Sequence, residues 1–240
     1  MEYRDLVKAA IEDAKFNRKS VSIDKNGYPI RPLPVDYNSD YEKALRTKNP
    51  EDIARFLKRW KIRRKIDLTK LEQRIRNKRK ELNALENLNI VSANLEGFIQ
   101  LSSQTKSLHD IIVNLFNEFT DVAEDSSRQY TAASKILHVL LPKLFVMWDR
   151  CIRCAYGCDF KRPEDAGEKY FKFLKRVQKE AREAVKSYCT EHKCSINKAI
   201  QTIREKLYEG GFYPFTKLLD EYNYQKYTIG NDRLWEKSKE

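Results

Sequence analysis

Apolar positions recur at helical spacing along most of the chain. In YRDLVKAAIEDAKFN, residues 3–17, Leu6, Val7, Ala10, Ile11 and Ala14 form one stripe, the pattern of a helix with one buried face. Asn49-Pro50 offers an N-cap followed by proline at the first helical position. The helix it opens carries Ile53, Phe56, Leu57 and Trp60 on one side. A second start near Asp67 predicts a helix through LTKLEQRIRNKRKELNALENL, held by Leu68, Leu71, Ile75, Leu82 and Leu85. LHDIIVNLFNEFTDVA predicts another, followed by a polar loop, EDSSRQ. Beyond residue 160, Tyr170, Phe173, Leu174, Val177, Ala181, Ala184 and Val185 mark one long helix. SINKAIQTIREKLY follows with Ser195 as cap and Gly210-Gly211 as stop, and Pro214 begins a last short helix. The period changes only in SVSIDKNGYPIRPLPVDY, where an Asn-Gly step between short apolar runs reads as a hairpin. Three prolines then impose an extended connector.

These elements predict an all-α, compact multi-helix domain of about ten helices, with a small N-terminal β-hairpin. Residues 1–48 would hold the first helix, hairpin and connector, residues 49–227 the helical core, and residues 228–240 a polar tail. The 240 residues suffice for a substantial core, and seven Gly and seven Pro suit helices joined by short loops. No run approaches the ~18 apolar residues of a membrane span. MEYRDLVKAAIEDAKF lacks a signal-peptide pattern. The expectation is a soluble cytoplasmic protein.

Charge changes the picture. The formal net charge is +12, which favours polyanionic partners. Between Arg55 and Lys80, RFLKRWKIRRKIDLTKLEQRIRNKRK holds thirteen Lys or Arg against two acids, Asp67 and Glu72, a net +11. Trp60 and Ile62 interrupt the run, so it reads as two packed helices with charged outer faces. Acids normally balance bases on a solvated face. The imbalance points to nucleic acid, gripped through phosphates by Lys58, Arg59, Lys61, Arg63, Arg64, Lys65, Arg74, Arg76, Lys78 and Arg79. No amphipathic anchor suggests a membrane instead.

Five cysteines, an odd number, fit a reducing compartment. Cys151, Cys154 and Cys158 share a helical face, while Cys189 and Cys194 flank His192 in CTEHKC. Neither group has the spacing of a closed four-ligand zinc site, so no metal and no cofactor is expected.

Residues 131–157, TAASKILHVLLPKLFVMWDRCIRCAYG, set Lys135, His138, Asp149 and Arg153 in the most apolar part of the chain. Asp149 stands at a helix N-terminus, where a carboxylate accepts backbone N–H bonds and stabilises by ~1 kcal/mol. Lys135 and Arg153 can snorkel to solvent, and His138 fits a satisfied core imidazole. Together with Trp148, these residues would also surround a carboxylate with cations and aromatic walls, suited to tuning a pKa and receiving a planar base.

The order of these features resembles part of the helix-hairpin-helix DNA glycosylases, over about residues 105–157. An apolar helix starting TAASK is followed by a turn, an apolar stretch and an Asp. A short helix with Ile152 and Arg153 then ends at Gly157. The resemblance implies an all-α enzyme whose aspartate activates water or stabilises an oxocarbenium-like sugar cation as the base leaves. Members with lyase activity also carry an amine nucleophile. Asp149 matches the aspartate and Lys135 the amine, with His138, Trp148, Arg153 and Tyr156 as pocket residues. The implied partner is double-stranded DNA with a damaged or modified base, which a duplex releases more cheaply. The chain has no phosphate loop, HExxH, Ser-His-Asp set or carboxylate cluster of a two-metal nuclease. The alternative is a non-enzymatic helical protein that binds nucleic acid or a protein through the same basic face, with Asp149 as a helix cap alone.

Overall fold

The computed structural model describes residues 1–16, 21–24, 29, 39–101, 104–207 and 213–229. It is all-α. Among these residues the helices are α1 (Tyr3–Phe16), α2 (Ser39–Thr47), α3 (Pro50–Arg59), α4 (Leu68–Asn77), α5 (Arg79–Leu85), α6 (Leu108–Thr120), α7 (Tyr130–Leu140), α8 (Arg150–Ala155), α9 (Ala166–His192), α10 (Ile196–Leu207) and α11 (Phe215–Asn223). A π-helical turn, Tyr224–Thr228, continues α11. No helix among the described residues is long and apolar enough to cross a membrane.

Local signals explain several of the helix starts. Asn49 caps α3, its side chain accepting the Asp52 N–H at 2.8 Å, with Pro50 at the first position. Asp67 caps α4 through the Lys70 N–H and Ser107 caps α6 through the Asp110 N–H. Two expectations require correction. The helix from Asp67 is not continuous, because Lys78 departs from helical geometry at φ −99, ψ 12 and separates α4 from α5. Its ammonium reaches Asn114 at 3.0 Å. Strand structure is not confined to the N-terminal region either. An antiparallel pair, β1 (Phe98–Leu101) and β2 (Gln104–Ser107), joins Phe98 to Ser107 and Leu101 to Gln104. An isolated bridge does link Ile23 and Pro29. The Asn26-Gly27 step, Pro32, Pro34, Gly210-Gly211 and most of the C-terminal tail lie outside the described residues.

The chain divides into two compact units, Met1–Asp36 with Val177–Glu240, and Tyr37–Arg176. In the first unit α1 packs on α11, far away in sequence. In this first unit the Tyr3 and Tyr188 rings meet edge to face at 4.7 Å. Lys217 is only 1% exposed and lies 2.8 Å from Asp220 and 3.5 Å from Glu221. Burial works against its ammonium, but the two carboxylates hold its pKa above the ordinary lysine value.

In the second unit α2 packs on α3 and α6 on α7. Its centre is aromatic. Phe116 stacks on Tyr170 at 4.2 Å, Trp148 meets Phe116 edge to face at 5.5 Å, and Phe173 contacts both Trp148 and Tyr156.

Candidate functional site

The apolar segment after α7 explains the polar residues in its neighbourhood. Residues 144–148 are buried without helical or strand structure, so their backbone polar groups need other partners. The Leu141 carbonyl takes the Leu144 and Phe145 N–H groups, and side chains supply several of the others. Ser134 Oγ accepts the Trp148 N–H at 3.2 Å, and the Tyr170 hydroxyl donates to the Val146 carbonyl at 2.8 Å. His138 Nδ1 lies 2.8 Å from the Phe145 carbonyl and Nε2 lies 2.6 Å from the Tyr41 hydroxyl. A carbonyl oxygen only accepts, so Nδ1 carries a proton. In the neutral ring, Nε2 then accepts from Tyr41.

His138 is therefore a core residue, 0% exposed, with both nitrogens engaged. Trp148 is 1% exposed and its indole N–H points to the Tyr130 carbonyl at 3.3 Å. Tyr156 is buried on Phe173. These three belong to the packed interior. Arg153 donates to Asp159 at 3.0 Å and covers the Phe160 ring at 4.8 Å.

Asp149 is the part-buried N-cap of α8, and its carboxylate accepts the Ile152 N–H at 2.8 Å. Gly157 ends this helix with φ +58, the left-handed conformation that glycine accommodates best, and Cys158 N–H closes onto the Arg153 carbonyl at 2.8 Å. Lys135 is 7% exposed and its ammonium stands 4.1 Å from the centre of the Trp60 ring, a cation–π contact. The structure thus joins Lys135 to the end of α3. Three surface cavities, of about 460, 440 and 500 Å³, have other walls than Asp149 and Lys135.

The basic segment separates into three groups. Arg64, Lys65, Lys70, Arg74 and Lys78 pair with Glu118, Asp121, Glu124 or Asp125. An isolated antiparallel bridge, Ile66 with Ala123, runs between the same two segments. The Asp67 N–H also donates to the Val122 carbonyl at 2.9 Å. Arg55 and Arg76 pair within their own helices, with Asp52 and Glu72. The remaining cations are Lys58, Arg59, Lys61, Arg63, Arg79 and Lys80, all exposed. Lys58, Lys61, Arg63, Arg79 and Lys80 bear no ion pair among the described residues.

Four of the six cations sit on the turn that ends α3. Trp60 is its C-cap, and Lys61 takes the left-handed conformation at φ 58. The Ile62 N–H then reaches back to the Leu57 carbonyl at 3.1 Å, which completes a Schellman closure. Glycine is favoured at that position, and a lysine there costs about 1 kcal/mol. Phe56 at 5.6 Å and the Lys135 ammonium hold the Trp60 ring. This closed turn carries Lys58, Arg59, Lys61 and Arg63 into solvent.

Sequence reading passed over a smaller basic stripe on α9. Lys169, Lys172 and Arg176 recur at i, i+3 and i+7, a spacing that could have revealed it. Lys169 and Lys172 line the 500 Å³ cavity with Phe171, Lys175, Glu96 and His109. His109 bridges Glu168 at 2.9 Å and Asp110 at 3.0 Å. The hydrogen bond to Glu168 raises its pKa above the ordinary imidazole value, against partial burial and with help from Asp110. Among the described residues no three His, Cys, Asp or Glu side chains converge as a metal site.

Fold and site together define an all-α protein with a cationic helix-end turn. In comparisons with known proteins, no family model, no curated protein and no solved structure matches the chain.

Proposed function

We propose that the chain binds nucleic acid, with duplex DNA as the first case, by placing Lys58, Arg59, Lys61 and Arg63 on backbone phosphates. The observation that carries this reading is a hydrogen-bonded helix-end turn with exposed cations, of which Lys58, Lys61 and Arg63 have no ion pair among the described residues. Arg79 and Lys80 extend the positive surface. Phosphate contact of this kind gives affinity with little sequence preference, and affinity falls with salt. Fluorescence anisotropy on a labelled duplex over a salt series tests it. Replacing Lys58, Lys61 and Arg63 with alanine should lower the slope of log K against log salt by roughly 3, at about 0.9 per phosphate contact. Replacing Arg64 and Lys65, which already have acidic partners, should change it much less. An unchanged slope in the triple variant, or no binding by the native chain at low salt, overturns the reading.

Base excision at Asp149 is the second reading, favoured by a part-buried carboxylate held at the start of α8. It ranks second because His138, Trp148 and Tyr156 are packed in the interior. Incubating the protein with duplexes of assorted modified bases and assaying abasic sites decides it. Excision that disappears in Asp149→Asn while DNA binding persists supports it, and no abasic site on any substrate removes it.

A further inference from the structure

The C-terminal end of α9 brings two thiols together. Lys193 takes the left-handed conformation at φ 49, and the Cys194 N–H reaches back to the Cys189 carbonyl at 3.4 Å. This is the six-to-one closure of a Schellman motif, in which the residue after the left-handed one packs on the residue five positions earlier. In most helices that contact is apolar. Here both positions are cysteine, and the two thiols are close enough to influence each other. Both are free thiols and both are partly exposed. Burial first, then the neighbouring Cys194, pushes the Cys189 thiol up.

We propose that Cys189 and Cys194 are a redox modification site, closing to an intramolecular disulfide by exchange with a low-molecular-weight disulfide of the glutathione type. The thiolate of one cysteine attacks a glutathione disulfide sulfur. A protein–glutathione S–S bond forms, and one glutathione leaves as thiolate. The second cysteine, deprotonated, attacks the protein sulfur of that mixed disulfide and releases the second glutathione. The two cysteines lose two electrons and two protons, and glutathione disulfide gains them as two thiols. A disulfide has a narrow geometry, and the helix-end closure keeps the two cysteines beside each other before oxidation. The other three cysteines differ: Cys151 and Cys154 are exposed on α8, and Cys158 is buried with its thiol pushed up chiefly by burial. The product would pin the junction of α9 and α10 without moving the backbone bond already there.

Trypsin cleaves after Lys186, Lys193 and Lys198, which separates the two cysteines into peptides 187–193 and 194–198. The native full-length chain is equilibrated with glutathione disulfide, quenched in acid, alkylated and digested. The expected result is these two peptides joined by one disulfide, from protein that runs at single-chain mass on a non-reducing gel. The same exchange in urea should need at least about ten times more glutathione disulfide, because the unfolded chain lacks the helix-end closure. Cys194→Ser should stop at a glutathione adduct on Cys189, and the reverse variant at an adduct on Cys194. Stable double adducts in the native chain, linkage only between chains, no reaction at either thiol, or equal closure in urea would each overturn the proposal.

Discussion

Ser134→Ala removes one oxygen and no packing volume worth counting, yet it should destabilise the protein more than most surface changes. Ser134 is fully buried. Its Oγ lies 2.9 Å from the Thr131 carbonyl, 3.2 Å from the Trp148 nitrogen and 3.3 Å from the Trp148 carbonyl. One hydroxyl proton serves one of the two carbonyls, while the oxygen accepts the Trp148 N–H. Thr131 lies in the first turn of α7, but Trp148 is in a buried segment without helix or strand. Alanine therefore strands a buried N–H, a loss of about 1–3 kcal/mol. Urea unfolding followed by circular dichroism should give a lower midpoint at unchanged slope. Ser92→Ala is the control, because Ser92 is exposed and such changes stay within about 0.5 kcal/mol. A loss for Ser134→Ala no larger than that of the control would refute the view that α7 side chains hold up the 144–148 backbone.

Asp149→Ala should cost about 1 kcal/mol in urea unfolding while Asp149→Asn costs little, since asparagine caps as well as aspartate. Lys217→Met should be far more damaging, about 3–5 kcal/mol by the same measurement, because Asp220 and Glu221 would remain buried without their cation. His109 has a folded pKa above its ordinary value of 6.5. Its stabilisation is thus complete below the unfolded pKa and is lost as pH rises through the folded one. His109→Gln should flatten the thermal-stability profile across that alkaline-going window, and an unchanged profile would refute the role of the Glu168 and Asp110 bonds. Lys135→Met should leave duplex binding measurable but weaker, by loosening the Trp60 ring that supports the turn. Equal affinity at every salt concentration would count against that support.

Local chemistry made much of this fold legible. Asn49-Pro50, Asp67 and Asp149 cap helices where they stand because a cap depends on three or four consecutive residues. The apolar stripe of α1 is buried for the same local reason. Legibility ended where partners are distant in sequence. Ser134 carried no signal of its own and His138 read as a core imidazole without a named partner, and only the return of residues 145–148 past them reveals their work. β1 and β2 carry no Asn-Gly step, so the hairpin cue pointed to the N-terminal region instead. The C-terminal cysteines looked irregular as metal ligands because their proximity comes from a helix-end turn rather than from a ligand motif.

The same distinction refines the charge argument. A net +11 over residues 55–80 suggested one long cationic face. Glu118, Asp121, Glu124 and Asp125, some forty to sixty positions later, pair with five of its bases. Those bases bind α4 and the preceding turn to the end of α6, and phosphate would have to compete with carboxylates already in place. An exposed pair of this sort contributes only about 0–1 kcal/mol, so competition by a polyanion is weak rather than prohibitive. Lys58, Lys61 and Arg63 meet no such competition among the described residues. Their side chains also share a backbone turn held by Trp60, so one contact orients the others. Salt sensitivity should accordingly concentrate in this turn, and the number of phosphates engaged should be closer to the unpaired cations than to the thirteen bases of the segment.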